Sequence, residues 1–453
     1  MNYRTLNPTT EELLETYENP SAEQIERALV EAESGFARWR NSSLPERRNL
    51  LLELARLLEE RAGALAEIMA LEMGKPLTEG EAEANKCAWV CRYYAEESER
   101  FLAEKEYESD GSRAYVRYEP LGPIVAIMPW NFPLWQVLRF AAPALTAGNV
   151  VLLKHAPSVP RSALAIVELM READAPVGVF QNLFLSNDQA ASVISDARVR
   201  GVTLTGSSRA GQAVGAVGGA HLKTMVMELG GSDPFIVFAD ADLDAAAATG
   251  ALSRCLNSGQ SCIAAKRFLV DESVVDEFSK RFIAEIEKRK VGDPRDSNVR
   301  IGPLAREDLR DTLAQQVSTS VEQGASPLFE GSVPERGFFY PPTVLTGVEE
   351  GMPAHRQELF GPVAVVTPFG DEDDAVRIAN DTAYGLGSSV WTKSQDRAHR
   401  LIPRIEAGSV FVNGLVKSDP RIPFGGVKES GFGRELSHDG LLEWVNRKTV
   451  WIK

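Results

Sequence analysis

The residues of this chain that could carry covalent chemistry are a cysteine, an acid and an amide, the last two placed where an apolar run ends. Cys262 closes the stretch NSGQSC, residues 257–262. A free cysteine usually behaves as a small buried hydrophobe, and it becomes a nucleophile only where its surroundings favour the thiolate. Glu228 ends an apolar run and precedes Leu229-Gly230-Gly231. An acid at the tip of a parallel strand can act as a general base if burial raises its pKa, whereas most such acids are solvated. Asn131 lies in MPWNFP, residues 128–133, where two prolines and two aromatic residues stiffen the segment. An amide held in this way can donate to a developing oxyanion, or it can cap a helix. In residues 201–215, GVTLTGSSRAGQAVG, a strand runs into Gly206 and Ser207 and a helix begins. The N–H groups and dipole of that helix start suit a phosphate, although neither of the common glycine-rich phosphate motifs is present and such turns are often structural.

These groups need a scaffold. With 453 residues the chain suggests two or three domains. From Ala22 to Leu102 the spacing is helical: Leu50, Leu51, Leu54, Leu57 and Leu58 recur at three and four, and Gly74-Lys75-Pro76 marks a stop. Ala114 to Glu119 alternates and reads as an edge hairpin. Strands are then expected at 122–128, 149–154, 201–205 and 224–228, with helices at 161–171 and 207–218. A second block places strands at 234–238, 267–270, 363–368, 388–391 and 409–412, with helices at 244–256 and 274–290. Alternating strands and helices imply an α/β fold with parallel sheets, which bind ligands at the carboxyl ends of their strands. Gly425-Gly426 and Gly431 to Gly433 read as a glycine-rich loop.

Bulk properties narrow the function. The formal charge of -15 argues against nucleic acid or an anionic membrane as a partner, and an anionic substrate would need a local cation to hold it. The first residues, MNYRTLNPTTEELLE, show neither a basic start nor an apolar core, so no signal peptide is expected. No run approaches the length of a membrane-spanning helix. Four cysteines, Cys87, Cys91, Cys255 and Cys262, fit a reducing cytoplasm better than a disulfide scaffold. Cys87 and Cys91 share a helix face with no further ligands nearby, so they read as packing residues, and no metal is expected.

In order and spacing, PWNFP, KHAPS, LTGS, ELGG, GQSC, ELFGPV and PFGGVKESGFGRE resemble the NAD(P)-dependent aldehyde dehydrogenase superfamily, from about Asn7 to the end of the chain. The KHAPS variant and the brief N-terminus resemble its shorter succinate-semialdehyde dehydrogenase branch. The resemblance implies an aldehyde-dehydrogenase-like fold. Its Rossmann-type cofactor-binding domain would span 1–104 and 122–229, and an α/β catalytic domain 230–435. A small β arm, 105–121 and 436–453, would pair subunits into a homodimer or homotetramer. The implied activity is oxidation of a small-molecule aldehyde, succinate semialdehyde in that branch, to the acid with hydride transfer to NAD or NADP. Cys262 matches the nucleophile, Glu228 the general base, Asn131 the oxyanion donor and Glu435 a second acid linked to proton relay. Trp130, Lys154, Ser158, Gly206, Ser207, Glu358 and Phe360 fall at cofactor positions, and Trp135, Arg139 and Ser418 at substrate positions.

Two departures bear on specificity. Pro157 stands where the family often has a Glu that repels a 2′-phosphate, which leaves NADP open beside NAD. Arg139 matches an arginine that holds a distal carboxylate in some relatives, or it could form a surface salt bridge. A second such arginine is replaced by Leu256, and Asp419 on the mouth loop would not welcome an anion. Another small aldehyde as substrate, a coenzyme-A-acylating enzyme and a non-catalytic structural protein on the same fold are the alternatives.

Overall fold

The computed structural model describes residues 3–453. Two sheets dominate it. The first has six strands in the order Gly431–Phe432, Thr224–Glu228, Gly201–Thr205, Pro123–Ile127, Val150–Lys154, Phe180–Asn182. All are parallel except Gly431–Phe432, which runs antiparallel to Thr224–Glu228. Val150–Lys154 and Gly201–Thr205 are buried along their whole length. Unbroken apolar runs of this kind are what a parallel sheet covered on both faces requires. The register aligns the carboxyl ends: Thr205 pairs with Glu228, Ile127 with Lys154, and Leu204 with Ile127. Four of the expected chemical motifs therefore emerge along one edge of one sheet.

The second sheet has seven strands in the order Ser326–Glu330, Thr343–Thr346, Val363–Phe369, Ala265–Asp271, Asp233–Val237, Gly387–Trp391, Ser409–Val412. Its core is aromatic. Phe268 touches Phe235 and Phe282 at ring-centroid distances of 5.1 and 4.4 Å. The Leu243–Cys255 helix leads into the NSGQSC loop, which enters Ala265–Asp271. The two strands beginning at Asp233 and Ala265 are paired, so this sheet presents strand starts to the strand ends of the first.

The helical stretch resolves into Ala22–Trp39, Leu44–Glu60, Ala62–Met73 and Leu77–Leu102. Ser21 with Gln24, and Ser43 with Glu46, close reciprocal capping boxes at the first two. Cys87 and Cys91 are fully buried on the inner face of the last. One expectation changes. Arg113–Pro120 is the middle strand of a three-stranded sheet, flanked by Lys105–Tyr107 and by Val445–Ile452, because the chain's end returns to its open side. Local alternation reports a half-buried strand but not which strand will cover it. An N-terminal hairpin, Tyr3–Asn7 with Glu12–Tyr17, was not expected either. Its Tyr3 hydroxyl donates to the carbonyls of His155 and Leu185 at 3.1 and 3.0 Å.

A buried ion pair locks the Leu77–Leu102 helix to the Trp135–Ala147 helix. Lys75 pairs with Glu83, and the other Glu83 oxygen accepts from the N–H groups of Leu134 and Trp135, both at 2.9 Å. Replacing Glu83 by Ala strands the Lys75 ammonium and uncaps the second helix. Removal of one partner of a buried pair costs about 3–5 kcal/mol, and urea unfolding of Glu83→Ala is expected to show a correspondingly lower midpoint. An unchanged midpoint would mean that the pair is dispensable.

Candidate active site

The NSGQSC loop is rigid. Asn257, Ser258 and Gly259 all have left-handed backbone, with φ of 53°, 56° and 75°. Such angles are costly for the two non-glycine residues and persist only when neighbours over-determine them. Here the Asn257 N–H donates to Glu79 at 2.6 Å, and its side-chain amide donates to the Asn131 carbonyl at 2.7 Å. The Ser258 hydroxyl accepts from the Gly302 N–H at 2.9 Å, and the Gln260 side-chain carbonyl from the Ala305 N–H at 2.9 Å. Arg254, fully buried, donates to the Gly259 carbonyl at 2.6 Å. Gly259 makes room for protein, since a Cβ there would lie 2.3 Å from the Gly361 carbonyl carbon.

Behind Cys262, the Lys266 ammonium donates to the Ser261 and Cys262 carbonyls at 3.1 and 2.9 Å and lies 3.6 Å from Glu358. Gly231 of ELGG must be glycine, because a Cβ would sit 2.5 Å from the Cys262 carbonyl oxygen. Of the four cysteines only Cys262 is partly accessible. The surrounding protein pushes its thiol up to about 12; Arg139 and Lys266 pull it back, while Glu358 and Glu228 oppose them. The thiol is therefore protonated at rest and needs a nearby base.

Asn131 is buried, and its amide nitrogen donates to the Gln260 carbonyl at 3.1 Å, so it faces the cysteine loop rather than capping a helix. Its segment is anchored by His155. Nδ1 of that ring accepts from the Ala156 N–H at 2.8 Å, so Nε2 carries the proton and donates to the Pro133 carbonyl at 2.8 Å. Burial lowers the His155 pKa to about 4, which keeps the ring neutral.

Glu228 is a buried acid at the strand tip, not a solvated one. Burial raises its pKa, Arg139 and Arg434 lower it, and Glu435 raises it further. Glu435 is equally buried, is raised by the same desolvation, and forms an ion pair with Arg139. Arg139 also points a nitrogen at the Thr205 hydroxyl, 3.4 Å away, and lies over the Phe424 ring. It is thus neither a surface salt bridge nor a free cation. Its charge already serves the acid pair.

The residues at cofactor positions lie along the edge of the first sheet. Lys154 ends its strand with its ammonium 5.9 Å from the Tyr3 ring centroid, and burial lowers its pKa to about 8. Ser158 lines a cavity of about 630 Å3 with Arg4 and Pro157, and its buried hydroxyl has no partner. Ser207 caps the Ser208–Ala220 helix, and the Gly206 N–H donates to the Glu228 carbonyl at 2.9 Å. Glu358 accepts from the Gly231 N–H at 3.2 Å, and Phe360 meets Trp130 edge to face at 5.7 Å.

A cavity of about 230 Å3 joins Cys262 to Trp135, Arg139, Leu256 and Ser418. This is small beside the 300–1,000 Å3 typical of drug-sized ligands. Asp419 does not threaten an anion there, because Arg421 grips both its oxygens at 2.9 and 2.7 Å. The same cavity is lined by Lys86, and the ring of Trp135 lies beneath its ammonium. Sequence reasoning singled out none of Lys86, His155, Arg254 and Lys266. For Lys266 a signal existed: with Arg267 it forms a pair of cations four residues after the cysteine in an otherwise apolar run.

Comparison with known proteins gives one answer. Residues 1–450 match the model of the aldehyde dehydrogenase family. The chain is 47% identical over 449 residues to the probable succinate-semialdehyde dehydrogenase (NADP+) of Synechocystis sp., covering 99% of both. It is 48% identical over 452 residues to succinate-semialdehyde dehydrogenase (NADP+) 1 of Mycobacterium tuberculosis, again 99% of each. Among solved structures, succinic semialdehyde dehydrogenase of Streptococcus pyogenes in complex with NADP+ superposes with a TM-score of 0.97 at 37% identity, over 99% of both chains. Gox0499 superposes at 0.98 with 42% identity over the full length of both.

The thiol environment sets a measurable outcome. Iodoacetamide is expected to modify Cys262 alone in the native protein, with a rate that rises about tenfold per pH unit between 7 and 10 because only the thiolate reacts. A plateau reached below pH 8 would show a thiolate already stabilised at rest.

Proposed function

The chain belongs to the aldehyde dehydrogenase family, and we propose that it oxidises succinate semialdehyde to succinate with NADP as hydride acceptor. The observation that carries this reading is Cys262 on a small cavity that Arg139 and Lys86 also line, with Asn131 bonded to the cysteine loop and the Glu228 carboxylate close enough to weigh on the thiol. The names of the relatives support the substrate and the dinucleotide.

The chemistry follows from the residues. Cys262 attacks the aldehyde carbon after losing its proton to a neighbouring base, of which Glu228 is the buried candidate. The tetrahedral adduct carries charge on oxygen, which Asn131 and the Cys262 N–H would stabilise, at about 3–4 kcal/mol per donor. To donate, Asn131 exchanges its bond to the Gln260 carbonyl for one to the oxyanion. The dinucleotide, when bound, supplies the hydride acceptor. A thioester on Cys262 is then hydrolysed by water that Glu228 deprotonates. Arg139 lowers the pKa of both Glu228 and Glu435, so it counters the burial that would otherwise keep the base protonated.

The residues present fit NADP. The unpartnered Ser158 hydroxyl and the Lys154 ammonium are groups a 2′-phosphate would use, and Pro157 brings no opposing carboxylate. Gly206 and Ser207 at the helix start would face the pyrophosphate, and Glu358, Phe360 and Trp130 the nicotinamide end. The exposed edges of the three-stranded sheet, with Tyr107, Trp451 and Ile452 half exposed, support pairing of subunits there. Four unpaired thiols support a cytoplasmic setting, and no helix among the described residues is long and apolar enough to cross a membrane.

Four measurements test the reading. Wild-type protein is expected to reduce NADP with succinate semialdehyde and release free succinate; an acyl thioester formed only in the presence of coenzyme A would replace hydrolysis by acyl transfer. Cys262→Ala is expected to abolish turnover with an unchanged melting curve. Glu228→Gln is expected to slow the formation of the first reduced cofactor per site and to lower the steady rate about 10²–10⁴-fold. Wild-type kcat is expected to climb with pH through a pKa above the ordinary carboxyl range, because the base must lose a proton that burial retains. Steady turnover by Glu228→Gln at the wild-type rate would remove Glu228 from the base role.

A further inference from the structure

Three cations line the cavity, Lys86, Arg139 and Lys417, of which Lys417 is exposed. The charges that weigh on the Cys262 thiol are Arg139, Glu358, Lys266 and Glu228. Arg139 is paired with Glu435 and pulls on Glu228. The charged groups around Lys86 are Arg139, Glu83 and Asp419, with the Cys87 thiol beside it. Both of those acids are occupied elsewhere. Glu83 pairs with Lys75 and caps the Trp135–Ala147 helix, and Asp419 is held by Arg421. Among the described residues no carboxylate lies within ion-pair distance of Lys86. Its ammonium donates to the Ser418 hydroxyl at 2.8 Å and stands 4.1 Å from the Trp135 ring centroid.

We propose that Lys86 is the specificity-determining cation of the substrate cavity, binding the distal carboxylate of a short ω-oxo acid together with Ser418. An ammonium has three N–H donors and a hydroxyl one. Lys86 gives one to Ser418, which leaves two N–H groups and the Ser418 O–H for a carboxylate. Trp135 supports the ammonium by its ring face and can keep doing so when the anion binds. A charge that is only half buried and lacks a carboxylate partner is costly to hold, and an anionic ligand would relieve that cost. Leu256, which lines the same cavity, brings no charge to compete. Burial and Arg139 lower the Lys86 pKa to about 8, so a bound carboxylate would also raise the ammonium's share at neutral pH.

The inference rests on the proposed reaction and is tested separately from it. Wild-type, Lys86→Met, Lys86→Gln and Lys86→Arg are compared by kcat/KM for 4-oxobutanoate and for uncharged butanal at saturating NADP, after thermal melting has checked each fold. The readout is the ratio of the two values. Loss of a charged hydrogen bond is expected to lower that ratio about 10- to 100-fold in the Met and Gln variants, mainly through KM for 4-oxobutanoate. The Arg variant, which keeps the charge, is expected to retain most of the preference. If the Met variant does not fold, the Gln variant carries the same comparison. A wild-type enzyme that does not prefer 4-oxobutanoate overturns the reaction assignment and this inference with it. A wild-type preference that survives in Lys86→Met or Lys86→Gln, or an equal loss for both aldehydes, overturns the role of Lys86 alone.

Discussion

Three consecutive left-handed residues, Asn257 to Gly259, decide where the thiol of Cys262 stands. Two of them carry side chains that make this backbone unfavourable, by about 1–3 kcal/mol each. The surrounding structure holds it by bonds from several elements: Glu79 from the long helix, Asn131 from the first sheet's edge, Gly302 and Ala305 from the second block, and Arg254 from the preceding helix. Because the anchors come from both sheets, the loop acts as the joint between them. The cysteine cannot be placed unless the whole molecule is folded. The same network fixes Asn131, whose backbone accepts from Asn257 while its amide faces Gln260. Nucleophile and oxyanion donor are therefore positioned relative to one another by shared bonds, which suits a site that must meet a transition state without rearranging.

Electrostatics imposes the second constraint. The site buries two acids, Glu228 and Glu435, beside a thiol that must become an anion. Alone, burial would leave all three protonated. One guanidinium, Arg139, sits among them, and its charge lowers all three pKa values. At the thiol, burial still outweighs it and leaves the pKa high. The resulting order is a protonated nucleophile next to a base that is readily deprotonated only when pH rises or when a neighbour takes the charge. Such a resting state protects the thiol from adventitious oxidation and alkylation until a substrate is present.

What could be read in advance was the chemistry carried by contiguous motifs. Cys262, Glu228 and Asn131 each lie in a short stretch whose texture alone raises the possibility of a role, and the parallel-sheet pattern correctly put Glu228 and Gly206 at strand ends. Burial was not legible. Glu228 could have been solvated, and only the antiparallel Gly431–Phe432 pairing and the Arg139–Glu435 layer close over it. Arg113–Pro120 looked like an edge because its cover comes from more than 300 residues away. His155 was visible only as a letter in KHAPS; that it pins Pro133 through a neutral ring depends on tertiary contact. That Gly259 makes room for the backbone of Gly361 likewise depends on tertiary contact.

Lys86 escaped for the same reason, and its case shows what kind of information a sequence withholds. On the Leu77–Leu102 helix it is one charged residue among many, and a charge on an amphipathic helix is ordinarily solvated. Its significance arises from subtraction. Glu83, three residues earlier, is consumed by Lys75 and by the start of another helix; Asp419, across the cavity, is consumed by Arg421; Arg139 is consumed by Glu435. Each of those pairings is individually unremarkable as a stabilising contact. Together they leave the Lys86 ammonium, with two free donors, facing a small cavity whose other lysine, Lys417, is exposed. A charge balance of that kind is a property of the assembled site, so a residue without any motif of its own can still be the one that selects an anionic substrate from neutral ones.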